Sequence, residues 1–199
     1  MSTSARMILV LTIITTLVGG VLSAWDGFTQ PMIEQHRLEA LKAAIADVLT
    51  AYDPYEQVQA GGMTFYVGKD AGGNTVGIAF QAAGSGFQGE ISMMVGVEPD
   101  FTNITGLTIL SQVETPGLGT KIVEDPTNKE NQDWFTDQFV NAETQPEIQA
   151  LKNQQPDAPT EVAAITGATI SSKAVVDILN KALNRAKEVY NSEAEQVVS

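Results

Sequence analysis

Four hydroxyl side chains crowd the stretch Ile165-Thr166-Gly167-Ala168-Thr169-Ile170-Ser171-Ser172, and a long amphipathic segment follows at once. From Val175 the apolar residues Val175, Ile178, Leu179, Ala182, Leu183, Ala186 and Val189 recur at spacings of three and four, which is one face of a helix. Ser171 or Ser172 is expected to cap its first turn, and Arg185 and Lys187 fall near its end, as the helix dipole favours. Thr166 and Thr169 then stand just ahead of N–H groups that lack partners, a place where an anion is stabilised. The stretch reads as an anchoring point for a phosphate-bearing group. A plain turn and cap would use the same residues, so the rest of the chain must decide.

Two glycine-rich loops bear on that choice. Gly84-Ser85-Gly86-Phe87-Gln88-Gly89 and Glu114-Thr115-Pro116-Gly117-Leu118-Gly119 each follow a strand-like run, and each can bring bare backbone close to a flat molecule. The first has part of a dinucleotide fingerprint but leads into a strand, not a helix, which makes a Rossmann reading poor. Taken singly, each loop is equally an ordinary tight connection.

Composition removes other chemistries. The chain has 199 residues, no cysteine and a single histidine, His36. Thiolate nucleophiles, iron–sulfur ligation, Cys-x-x-Cys-His haem attachment, a histidine triad and a His-based zinc site all fall away, and His36 reads as a solvated surface residue. A formal net charge of −13 argues against nucleic acid as a partner. Glu114, alone in its loop, makes no acid–base pair. No catalytic residue and no metal ligand is expected.

Several elements must position the candidate residues. Met7 to Ala24 carries no charge, and at about 1.5 Å per residue the uncharged run to Trp25 nearly crosses a hydrocarbon core of roughly 30 Å. It reads as a retained membrane helix, with Trp25 and Phe28 at the far interface; a signal peptide cut near Leu22-Ser23-Ala24 is the alternative. Arg6 marks residues 1–6 as a cytoplasmic tail and places the rest outside. Residues 26–60 are expected to be a juxtamembrane helical segment, interrupted by Pro31 and resuming over Arg37–Leu49 until Asp53-Pro54 stops it. From Gly61 the periodicity becomes that of strands: Met63–Val67 and Thr75–Ala82 around the turn Asp70-Ala71-Gly72-Gly73-Asn74, then Ile91–Val97 and Ile104–Ser111. Trp134 to Phe139 reads as core packing, Val162–Ile165 as a short strand, and 192–199 as a polar, frayed tail. The expected fold is α+β, an antiparallel sheet with flanking helices over residues 61–191, behind one transmembrane helix over 7–25.

In this order the membrane helix, Gly84–Gly89, Glu114–Gly119, Trp134 to Phe139 and Thr166-Gly167-Ala168-Thr169 resemble the FMN-binding domain family. The resemblance is to the G subunit of Rnf-type ion-translocating electron-transport complexes, related to the C subunit of sodium-pumping NADH:quinone reductase. It implies an FMN joined through its phosphate to Thr169, with Thr166, Gly167, Ala168, Glu114, Thr115, Gly117, Leu118, Gly119, Gly86 and Phe87 around it. It further implies an electron relay without catalysis of its own, other membrane subunits as partners, and a flavin transferase for maturation. The place would be a bacterial or archaeal cell membrane, the large domain on its periplasmic or extracellular side. One position departs from the pattern: Ala163 stands where family members commonly carry an acidic residue, and Glu161 is out of register. A membrane-anchored assembly subunit without flavin, or a flavin reductase, would be the readings of another class.

Overall fold

Long runs of Leu, Ile, Val and Ala with few helix breakers fold, in the computed structural model, into one continuous α-helix, α1 (Thr3–Val48). The structure describes residues 2–49 and 55–194, so the expected stop at Asp53-Pro54 lies outside the described residues. The expected interruption at Pro31 is not found: Pro31 lies inside α1. Proline removes one N–H and crowds the carbonyl four residues back, at a cost of about 3 kcal/mol, which the helical runs on both sides outweigh.

By contact density the chain divides into two units, residues 1–40 and 41–199. In the first, the apolar side chains from Met7 to Leu22 have no protein partner among the described residues and the candidate span is fully exposed. Its polar residues are adapted to that setting. Thr12 and Thr15 donate their hydroxyls to the carbonyls of Ile8 and Leu11 at 2.9 Å, so that neither leaves an unpaired donor on the apolar face of the helix.

In the second unit, alternation of apolar and polar residues produces a five-stranded antiparallel meander: β1 (Tyr55–Ala60), β2 (Met63–Lys69), β3 (Thr75–Ser85), β4 (Glu90–Val97) and β5 (Ile104–Ser111), paired in chain order. The expected boundary at Gly61 is corrected here. β1 begins six residues earlier, burying Val58 and Ala60 and leaving Gln57 and Gln59 exposed, an alternation too short to stand out beside a helical run. The β2–β3 turn forms as expected, with the Asp70 carboxylate accepting from the N–H groups of Gly72 and Asn74, both at 2.8 Å. A short helix α2 (Trp134–Asp137) buries Phe135 and, just beyond it, Phe139. Two three-residue strands, β6 (Gln149–Leu151) and β7 (Glu161–Ala163), pair in parallel as a separate small sheet. The final helix, α3 (Thr169–Val189), ends in a π-helical turn, Tyr190–Ala194, that buries Tyr190 against Phe65 and Phe101. The polar tail expected from Ser192 begins inside this turn, and its remainder beyond Ala194 lies outside the described residues.

The main sheet is covered on both faces. On one, Phe65, Phe80, Ile91, Met93 and Val95 pack with Val175, Ile178, Leu179 and Leu183 of α3. On the other, Ala44, Ile45 and Val48 from the end of α1 lie among Tyr66, Ala79 and Met94. Paired Gly96 and Gly106 make that second contact possible, because a Cβ at Gly96 would lie 2.5 Å from the Val48 carbonyl oxygen and one at Gly106 2.9 Å from Val48 Cα. Thr105 Oγ1 donates to the same carbonyl at 2.7 Å.

Candidate functional site

The β3–β4 hairpin, the loop after β5 and the start of α3 meet at the Glu114 side chain. Gly84 and Ser85 belong to β3, which leaves a short connection closed by the Gly86 N–H on the Gly89 carbonyl at 2.6 Å. Its next two N–H groups, of Phe87 and Gln88, donate to Glu114 Oε1 at 2.7 and 3.1 Å. The other carboxylate oxygen accepts from Ser171 Oγ at 2.6 Å, and Glu114 is only 4% exposed. A buried carboxylate is tolerable when hydrogen bonds replace its hydration, and three donors do so here. The glycines on either side serve the same knot: a Cβ at Gly86 would collide with Glu114 Oε1, and one at Gly119 would lie 2.7 Å from Glu114 Cβ and 2.9 Å from Ser171 Oγ. Gly117 differs, with a φ of +74° and open space beside it.

The expected caps of α3 are corrected. The helix begins at Thr169 behind Ala168, and no side chain caps it. Ser171 is drawn to Glu114 instead. Ser172, fully buried, donates to the Ala168 carbonyl at 3.1 Å and accepts from the Ile165 N–H at 3.0 Å, fastening the incoming strand to the helix. Both serines lie one turn too deep to cap, and burial obliges each to find a partner.

Beside the knot is a cleft of about 320 Å³. Of the residues singled out in the sequence, Phe87, Thr115, Leu118, Gly119, Gly167, Ala168, Thr169 and Ser171 line it. Gly86 and Glu114 form the packed region behind its wall, and Thr166 and Gly117 are not among its lining residues. Phe87, Leu118 and Ile170 keep large apolar surfaces exposed at the rim, and Gly167 turns the chain into the helix at a φ of +85°. Lys152, just after β6, joins the wall and was not anticipated; its nearest neighbours in the chain carry no motif that could have marked it. The loop after Gly119 is held from outside the cleft. Asp125 accepts from Thr127 Oγ1 and Trp134 Nε1 and pairs with Lys121 Nζ at 3.0 Å, and these donors, Thr127 first, hold its carboxyl well below the usual range.

A wider groove of about 750 Å³ runs between α3 and strands β2 and β3, with Lys173, Asp177, Lys181 and Arg185 along it. Of the residues in the candidate stretches only Gly84, Ser85 and Ile170 line it, so the smaller cleft is the better candidate. The cleft also fits a flavin phosphate chemically: it offers a half-buried threonine hydroxyl at a helix start, a single lysine, and an aromatic and an aliphatic side chain exposed at its rim.

The FMN-binding domain family matches residues 86–184, which contain the hairpin connection, the Glu114 loop and the Thr169 turn. Over 187 residues the chain is 32% identical to the G subunit of the ion-translocating oxidoreductase complex of Methanosarcina acetivorans, covering 90% of this chain and 92% of that one. It is 28% identical over 192 residues to the G subunit of the Na(+)-translocating ferredoxin:NAD(+) oxidoreductase complex of Acetobacterium woodii, covering 88% and 87%. The crystal structure of Shewanella oneidensis NqrC superposes with a TM-score of 0.55 at 21% identity, covering 67% of this chain and 60% of that one, a likeness of fold. Hairpin, loop and Thr-Gly-Ala-Thr turn thus converge in the segment that the family match spans, and the chain belongs to the FMN-binding domain family, among the G subunits of ion-translocating oxidoreductase complexes.

Proposed function

We propose that this chain is the electron-relay subunit of a membrane-bound, Rnf-type ion-translocating oxidoreductase complex, carrying FMN joined through its phosphate to Thr169. FMN supplies one- and two-electron chemistry when bound; the chain supplies the place. The observation that carries the attachment point is the state of the four hydroxyls. Those of Ser171 and Ser172 are committed to Glu114, Ala168 and Ile165. Thr166 is exposed and does not line the cleft, whereas Thr169 is half-buried and lines it, and its hydroxyl has no hydrogen-bond partner among the described residues. The remaining residues hold and orient. Phe87, Leu118 and Ile170 offer apolar surface to a ring system and exclude water from one side of it. The Glu114 knot fixes the hairpin against the first turn of α3, so that the two walls keep their spacing.

Membrane residence follows from the apolar half of α1 and from relatives whose names place them in ion-translocating complexes. Arg6 before the span supports a cytoplasmic N-terminus and a periplasmic or extracellular folded unit. A tether at Thr169 and an anchor at α1 keep the redox group beside its partner subunits at high local concentration, with a flavin transferase as the agent of attachment. Peptide mass spectrometry and in-gel flavin fluorescence after co-expression with such a transferase test the assignment. Thr169→Ala should insert and fold but lose the fluorescent band, and Thr166→Ala should keep it. An adduct on any other hydroxyl would overturn the choice of Thr169.

A further inference from the structure

Strand β3 outruns its neighbour β2. Their pairing ends at Phe80 opposite Phe65, whereas β3 stays paired with β4 as far as Ser85 opposite Glu90. Hydrogen-bonded positions alternate along an antiparallel pair. The Gly86 N–H closes the hairpin on the Gly89 carbonyl, and the register from Ser85 back to Ile78 is unbroken. Ala82 and Gly84 therefore turn their backbone groups to β4, and Ala83 and Ser85 turn theirs the other way. On that side β2 has run out, and the N–H and C=O groups of Ala83 and Ser85 have no partner among the described residues. Natural sheets commonly guard such an edge with a proline, a lysine or a bulge. Ala83-Gly84-Ser85 has none of these.

The bare edge lies along the groove of about 750 Å³, which Met63 and Thr64 at the start of β2 close at one end. The facing wall is α3, in two rows of residues four apart. Ala174, Ile178 and Ala182 form an inner row, and Lys173, Asp177, Lys181 and Arg185 an exposed outer one. A Cβ at Gly84 would lie 2.7 Å from Ile178 Cγ1, so helix and strand touch along the inner row. The outer row holds three cations and one carboxylate, in a chain whose formal net charge is −13. Arg185 also donates to the Gly61 carbonyl at 3.3 Å.

Resting on the reading of this chain as a subunit of a membrane complex, we infer that the groove takes an extended acidic segment of another subunit, which adds to β3 as a strand where β2 stops. Pairing with the backbone of Ala83 and Ser85 holds the segment, alternate side chains fall towards the inner row, and the cations of the outer row favour Asp and Glu. From Ile170 to Arg185 the helical wall is about 22 Å long, room for about seven residues of strand. Ile170 lines both this groove and the Thr169 cleft, so the segment brings its subunit beside the flavin site.

The complex is purified in detergent through a tag on the full-length chain, and the same chain is purified alone. Amide exchange of the peptide spanning Ala83–Ser85 should be at least about tenfold slower in the complex. Benzoylphenylalanine placed at Ala83 should cross-link, in the complex, to a segment of another subunit that carries Asp or Glu. Lys173→Glu combined with Lys181→Glu should cut that cross-link about tenfold, and the corresponding Arg pair should keep it. Ala83→Pro removes an N–H that the isolated fold does not use, so it should melt within about 2 °C of the wild type and yet lose the protection in the complex. Equal exchange in the two preparations, or a cross-link only to lipid, to a second copy of this chain or to residues 195–199, would overturn the inference. So would a cross-link indifferent to the lysine reversal, a result that does not depend on how Ala83→Pro folds. A wild type that brings down no other subunit would instead overturn the membrane-complex reading, and the inference with it.

Discussion

Two neighbouring regions, the Glu114 knot and the Thr169 cleft, share three segments of the chain and treat their polar groups in opposite ways. In the knot each donor has an acceptor: Phe87 and Gln88 N–H and the Ser171 hydroxyl all end on one buried carboxylate. Beside it, the half-buried Thr169 hydroxyl has no partner among the described residues, and Phe87, Leu118 and Ile170 expose apolar surface at 57%, 47% and 60%. The difference teaches how to separate framework from site in a ligand-free protein. A satisfied buried group holds shape, and an unsatisfied half-exposed one beside exposed apolar surface is available to a ligand.

The largest test of this contrast is Glu114→Ala. It leaves three donors without their acceptor, at a cost of about 3 kcal/mol, and should lower the melting temperature of the full-length protein by roughly 6–12 °C. Flavin attachment should fall with it, because the walls of the cleft lose their common tie. A variant that melts like the wild type would mean that the knot holds nothing. An intermediate effect is expected when the two glycines of the loop are compared. Gly119→Val must displace Glu114 or Ser171 and should cost about 1–3 kcal/mol. Gly117→Ala meets open space and pays only for its positive φ, about 1 kcal/mol. Equal thermal shifts would show that Gly119 does not pack as described.

The smallest effect concerns Asp125. Its folded-state pKa is depressed, chiefly by the Thr127 hydroxyl, with Lys121 and Trp134 adding to it. A depressed carboxyl contributes stability above its unfolded value, near pH 4, and loses it as pH falls through the lower folded value. Asp125→Asn should therefore melt below the wild type at pH 7, and the gap should narrow as the pH is lowered from about 4 towards 2. A gap independent of pH would assign the contribution of Asp125 to shape alone.

Much of this was legible from local patterns. The three-and-four spacing from Val175 to Val189 required α3, the glycine-rich Asp70–Asn74 turn required a hairpin, and the uncharged run from Met7 required a helix without protein partners. Such signals sit within one or two turns of the chain, where backbone geometry and burial period decide the outcome, and the Thr-Gly-Ala-Thr turn belongs with them. Pro31 misled because the helices flanking it, not the residue itself, set the balance. What only the tertiary structure decided are contacts between residues far apart in the chain. Glu114 reaches Ser171 across 57 positions and Phe87 across 27, Gly96 and Gly106 admit Val48, and Lys152 arrives at the cleft from the small parallel sheet. The sequence marks these residues as acidic, small or basic and no more; their roles depend on which surfaces the packed sheet and helices bring within hydrogen-bonding distance, and no local periodicity encodes that.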